Sequence, residues 1–307
     1  MADKVLKAKM KMSTHEALWG YTFITPWILG MIFFVGGPII ASFVLAFFDW
    51  DLISPAKFVG LKNFAFMFTR DPRFLKSLWN TIYFTIFSVP LGIVGSVIVA
   101  LLMNQKWKTV RGLRTIYYLP SVTAGVASSI IWMMIFNPDF GLINSGLALL
   151  GIQGPKWLSS ELWAKPAFII MSLWGVGGNM IIYLAGLQGI PRQLYEAAEI
   201  DGAGMWDKFK FITIPMLTPI IFFNLILSIV GSFQVFTQAY VMTGGQGSPA
   251  DSTLFYVLYL YQVAFKFHKM GYAAALALIL FVIILVCTML QFRFAGGWVH
   301  YEGELKK

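Results

Sequence analysis

Six stretches of this chain are long and apolar enough to cross a bilayer, and that constraint outweighs every other. A spanning helix needs about 20 predominantly apolar residues. Such runs lie within 22–48, 79–103, 115–136, 167–189, 218–242 and 271–292. Of the 307 residues, 58% are hydrophobic and only 12% charged, far from a soluble domain's composition. Lipid offers no partner to a backbone N–H or C=O, so the spans must be helical. The expected fold class is all-α: a polytopic membrane protein with six transmembrane helices. Pro26 and Pro38 predict bends in the first span.

The expected layout is an N-terminal cytoplasmic segment at 1–17, one membrane domain at 18–292 and a cytoplasmic tail at 293–307, since no polar region is long enough for a second domain. Lys4, Lys7, Lys9 and Lys11 give the N-terminus a basic head, but the apolar run from Leu18 to Phe48 is far longer than a signal-peptide core, so it reads as an uncleaved span. Orientation follows from Lys and Arg. The side holding both ends, 104–114 and 190–213 carries fourteen of them, and the opposite loops carry nine. Both termini are therefore expected in the cytoplasm.

The net charge of +9 does not imply nucleic acid, because the basic residues are scattered through loops rather than gathered on one face. Cys287 is the only cysteine and lies in an apolar run, which excludes an intrachain disulfide and a cysteine metal site. His15, His268 and His300 are far apart and show no ligand spacing, so no metal site is expected.

Between the fourth and fifth spans lies a charged island, IPRQLYEAAEIDGAGMWDKFKFITIP, at 190–215. Glu196, Glu199, Asp201 and Asp207 stand there beside Arg192, Lys208 and Lys210. Ala197 and Ala198 give a small face, and Gly202 and Gly204 can turn the chain. A helix, a turn and a second helix with small side chains at the tip suit close docking. The acidic balance points to a protein partner, since anionic headgroups would repel it.

The chain has no G-x-x-x-x-G-K-[ST] phosphate loop, no Ser/His/Asp grouping and no H-E-x-x-H, so no enzymatic activity is expected. The spans instead carry neutral polar stripes. Asn224, Ser228, Gly231 and Gln238 fall on one helical face of the fifth span, with Gln234 nearby. Ser172, Gly175, Asn179, Tyr183 and Gly186 do the same in the fourth, and Ser121, Gly125, Ser128 and Trp132 in the third. Small and hydroxyl residues in such stripes commonly hold helices together. Long amides facing lipid are costly, so Asn179, Asn224 and Gln238, with Tyr183, Ser228 and Gln234, are candidates for lining a solute pathway. Amides, hydroxyls and aromatic rings suit an uncharged, hydroxyl-rich solute. A stand-alone carrier driven by ions is the competing reading, weakened by the lack of acidic residues inside the spans.

Glu196, Ala197 and Ala198, then Asp201, Gly202 and Ala203, then Ile214 and Pro215, resemble the EAA loop of bacterial and archaeal ATP-driven importers. FVGLKNF at 58–64, DPRF at 71–74 and NTIYFT at 80–85 are similar to the start of sugar permeases of the carbohydrate-uptake type 1 family, which includes maltose, lactose, glycerol-phosphate and multiple-sugar systems. Residues 117–144 resemble their third span, and VFTQAYVMTGGQGSPADST at 235–253 the segment after their fifth. Where the family commonly has Gly-Gly-Pro, this chain has Gly244, Gly245 and Gln246.

The resemblance implies a type I importer permease fold in a bacterial or archaeal plasma membrane. It implies a second homologous permease, two ATP-binding subunits that use ATP and Mg, and an extracellular solute-binding protein as partners. The chain itself would bind no cofactor. Glu196, Ala197, Ala198, Asp201, Gly202 and Ala203 would couple it to the ATPase, and the solute would be a sugar or oligosaccharide. Glycerol 3-phosphate or another non-sugar solute is the alternative within the same family.

Overall fold

The computed structural model describes residues 2–300, with side chains from Thr14 onward. The basic head at Lys4 to Lys11 and the last residues of the tail fall outside the described side chains. Fifteen α-helices carry the described chain. The first span is α1 (Ala2–Met31) and α2 (Gly37–Leu45), joined by a π-helical turn at Ile32–Gly36. A two-residue hairpin, β1 (Phe48–Asp49) with β2 (Lys57–Phe58), and the short α3 (Lys62–Thr69) lead to α4 (Pro72–Met103). Then come α5 (Val110–Val122), α6 (Gly125–Ile135), α7 (Leu142–Leu149), α8 (Glu161–Ser172), α9 (Val176–Gly189), α10 (Arg192–Ile200) and α11 (Met205–Lys208). The chain closes with α12 (Ile214–Phe233), α13 (Thr237–Met242), α14 (Tyr256–Tyr261) and α15 (Met270–Ala295).

Five of the expected spans are continuous apolar segments, with Glu161–Gly189 and Met205–Met242 each running through a short irregular turn. The third is different. The expected helix over 115–136 is broken: α5 and α6 meet at 103° across Thr123 and Ala124. Pro120 lies in the last turn of α5, and Thr123 and Ala124 take extended ψ values of 133° and 135° that end one helix and start the next. The fourth span also begins earlier than 167. Its helix starts at Glu161 and brings Lys165 into the span. The expected single face from Asn224 to Gln238 is interrupted, because α12 ends at Phe233 and Gln238 sits on α13.

Helix α4 is the central post, packing on α8, α9, α12 and α14. Asp71 starts it, accepting the backbone N–H groups of Arg73 and Phe74, and Pro72 occupies the first helical position. Two apolar cores flank it. One, at its N-terminal end, gathers Phe74, Phe136, Trp157, Phe168, Phe255 and Tyr256. The other, at its C-terminal end, gathers Val97, Ala100, Met180, Tyr183, Leu187 and Leu217.

The N-terminal end is also tied by polar contacts that no short-range pattern announces. Arg73 donates twice to Asp251, from Nε at 3.0 Å and Nη2 at 2.8 Å. Asn80, fully buried, donates to the carbonyls of Asp251 and Leu254 and accepts from Lys165. The second carboxylate oxygen of Asp71 accepts the hydroxyls of Tyr259 and Tyr272. Burial, and then the Asp71 carboxylate, push the Tyr259 phenol well above its ordinary value, so it stays a donor.

Close backbone approach joins α5 to α9. A Cβ on Gly177 would sit 1.7 Å from the carbonyl oxygen of Tyr117. Backbone cannot swing aside as a side chain can, so Gly177→Ala forces the two helices apart. The expected cost is about 1–3 kcal/mol, read as a lower unfolding temperature of the detergent-solubilised protein. An unchanged temperature would mean that the crossing is looser than this.

Candidate functional site

Between the two cores lies a cavity of about 380 Å³. Phe84, Phe168 and Met171 bound it from one core's side, and Val176 from the other's. Its remaining wall is largely neutral and polar: Ser88 and Ser96 from α4, Thr123 and Ser128 at the α5–α6 break, Asn179 from α9, Ser228 from α12 and Gln238 from α13. Among the described residues no charged side chain lines it. Trp174 presents an aromatic surface there and packs edge-on against Trp132, with ring centres 5.8 Å apart.

Some of these groups are committed to the fold. Ser96 Oγ donates to the Val176 carbonyl at 3.0 Å, and Thr123 Oγ1 to that of Leu119 at 3.2 Å. Ser88, Ser128, Asn179, Ser228 and Gln238 line the cavity with no side-chain hydrogen bond to the described protein. Polar groups left open in this way are met by water or by a solute.

Of the pathway residues expected from the sequence, Asn179, Ser228 and Gln238 come together on this wall. The other three lie elsewhere. Tyr183 is fully buried in the core at the C-terminal end of α4, with its hydroxyl unpartnered. Asn224 is buried and donates from Nδ2 to the Ile220 carbonyl at 3.0 Å. Gln234 follows the last residue of α12 and borders a separate hollow with Val257, Leu260 and Phe281. Sequence reasoning passed over Ser88, although Ser88, Gly92 and Ser96 recur every four residues and share a face of α4.

The second exposed feature is the α10–α11 turn. Helix α10 ends with the N–H groups of Gly202 and Ala203 donating back to Glu199 and Ala198 at 3.1 and 2.8 Å. Gly202 takes a φ of +79°, a left-handed conformation costly for other residues. Lys208 pairs with Glu199 at 2.7 Å, and the Asp207 carboxylate accepts the Gly204 N–H. At the base, Tyr195 and Thr213 share a hydrogen bond of 2.9 Å. The turn is thus held at its root, while Glu196, Ala197, Asp201 and Gly202 are exposed and Ala198 and Ala203 are half-buried. Ile200 and Met205 at the tip are 87% and 89% exposed.

Residues 64–297 match the family described as the binding-protein-dependent transport system inner membrane component. The chain belongs to this family. The probable ABC transporter permease protein YesP of Bacillus subtilis (strain 168) is 41% identical over 298 residues, covering 96% of each chain. The lactose transport system permease protein LacF of Rhizobium radiobacter is 39% identical over 278 residues, covering 89% of this chain and 92% of that one. A bacterial ABC transporter involved in the import of the acidic polysaccharide alginate contains a chain of the same fold. It superposes with a TM-score of 0.82 at 22% identity, covering 94% of this permease and 98% of its own chain. The permease is thus a multi-pass membrane component of an ABC importer, and its type I fold is that of the alginate importer chain.

Proposed function

We propose that the permease forms part of the path by which a sugar or oligosaccharide enters the cell, driven by ATP hydrolysed on other subunits. The observation that carries this reading is the α10–α11 turn, anchored at its root and exposed at its tip. Glu196, Ala197, Ala198, Asp201, Gly202 and Ala203 offer a small-sided knob with apolar residues beside it, shaped to enter a cleft on another protein. The chain has no phosphate-binding loop of its own, so the ATP and Mg belong to two ATP-binding subunits, one of which seats on this knob. With the knob on the ATPase side, both termini lie in the cytoplasm.

The cavity supplies the other half. Its amides and hydroxyls can ring the edge of a sugar while Trp174 takes an apolar C–H face, the combination that orients hydroxylated ligands. Relatives named for lactose and arabinooligosaccharides support saccharide cargo. A second homologous permease completes the pathway, and an extracellular solute-binding protein delivers the cargo, as fits the periplasmic protein in complex with the alginate transporter. ATP closes the two ATPase subunits, the knob moves with them, and the spans reorient between inward-open and outward-open. A ligand can shift such an equilibrium only through its differential affinity for the two states.

The test is a cross-link. In a Cys287→Ala background, Ile200→Cys is expected to form a bond to a cysteine-bearing cognate ATP-binding subunit in membranes, with a yield that changes on adding ATP. Absence of any such adduct, with the complex otherwise assembled, would sink the docking role of α10.

A further inference from the structure

The break in the third span places a helix N-terminus at the cavity. Thr123 and Gly125, on either side of the bend, both line it, and α6 continues from there for eleven residues. The first backbone hydrogen bond into α6 is donated by Ser128 to Ala124 at 3.0 Å. The N–H groups of Gly125, Val126 and Ala127 therefore stand unbonded at the end of the helix, with no side-chain cap. The helix dipole adds about half a positive charge at that end.

A second, independent feature points the same way. Ser128 and Ser88 are only 9% and 7% exposed, line the same cavity, and have hydroxyls without a protein partner. These two buried, unused hydroxyls share a cavity wall with Gly125, the first residue of α6, a combination suited to cradle an oxyanion, and among the described residues no carboxylate on that wall opposes one. In lipid such a cradle gains weight, because the surroundings screen poorly.

We propose that the solute carries an acidic group, a carboxylate or phosphate, which docks on the N-terminus of α6 beside Ser88 and Ser128. This rests on the saccharide-import reading and refines it. The sugar ring would lie against Trp174, and the anionic group would meet the N–H groups at the bend.

The assembled transporter in lipid nanodiscs, without its binding protein, provides the test. Cellobiouronic acid, cellobiose 6-phosphate and neutral cellobiose would be titrated while following tryptophan fluorescence, with Trp174→Phe to assign the signal. Gly125→Pro removes one N–H donor and keeps the helix, since proline is favoured at the first helical position and Ala124 already has the φ of −57° and ψ of 135° that proline wants before it.

One of the two anions is expected to bind better than cellobiose, and the anion that does so identifies the acidic group. Its affinity should fall about tenfold in Gly125→Pro and in Ser128→Ala, the size of one charge-assisted hydrogen bond, while cellobiose is unaffected. Binding of cellobiose alone, or anion binding indifferent to both variants, would overturn the inference and leave the saccharide reading standing. Binding of none of the three would overturn both.

Discussion

Glu196→Lys and Gly202→Asp are each expected to lower ATP-driven uptake by about 100-fold, the upper part of the range for coupling between distant sites. Neither residue supports the bundle. Glu196 is exposed on α10, and nothing lies within contact of a Cβ at Gly202. Lysine reverses the charge on the exposed face of the knob. Aspartate at 202 enlarges the tip and must adopt a φ near +79°, which costs an L-residue about 1–2 kcal/mol. The loss therefore falls on docking. Proteoliposome uptake should collapse while membrane abundance stays near wild type, with the unfolding temperature unchanged in Glu196→Lys and lowered only by that backbone cost in Gly202→Asp. Normal uptake by both variants would remove the α10–α11 turn from the coupling path.

The second large effect is on stability. Asp71→Ala strips the cap from α4 and leaves four donors without their acceptor: two backbone N–H groups and the hydroxyls of Tyr259 and Tyr272. Loss of a cap costs about 1 kcal/mol, and each unsatisfied buried donor about 1–3 kcal/mol. A total of about 3–7 kcal/mol follows, visible as a drop in unfolding temperature and in membrane level. Removing the hydroxyls as well, with Tyr259→Phe and Tyr272→Phe, is expected to return part of the loss, since an apolar pair is cheaper than a stranded donor. A triple variant no more stable than Asp71→Ala would show that the hydroxyls are not what the carboxylate serves.

Most of the architecture was legible because lipid leaves so few options. Apolar length alone marks five of the spans, and the α10–α11 turn is visible as charge set between two of them. What escaped the sequence did so for local reasons. Thr123 and Ala124 are unremarkable residues in an apolar run, and Pro120 is as compatible with a shallow kink as with a 103° bend. The pairing of Arg73 with Asp251 spans 178 positions and has no periodic signature. Asn224 and Asn179 look alike in sequence, both amides on a small-residue stripe. One turned its amide to the Ile220 carbonyl, and the other was left open at the cavity. Helical rotation decides between those fates, and it depends on which neighbour each helix packs against.

Among the described residues no position in the most apolar stretch of the first span is fully buried, and its packing on the rest of the chain is concentrated in α2, which rests on α15 with Phe43 against the Phe281 ring. Over residues 14–31 little within the described chain therefore dictates which greasy residue stands where, and leucine, isoleucine and phenylalanine are exchangeable there as far as folding is concerned. Sequence drift is free to accumulate along that helix in a way that α4 forbids. Any position there that resists exchange would be reporting a neighbour outside this molecule, and a saturation library confined to residues 14–31 would map that neighbour's footprint.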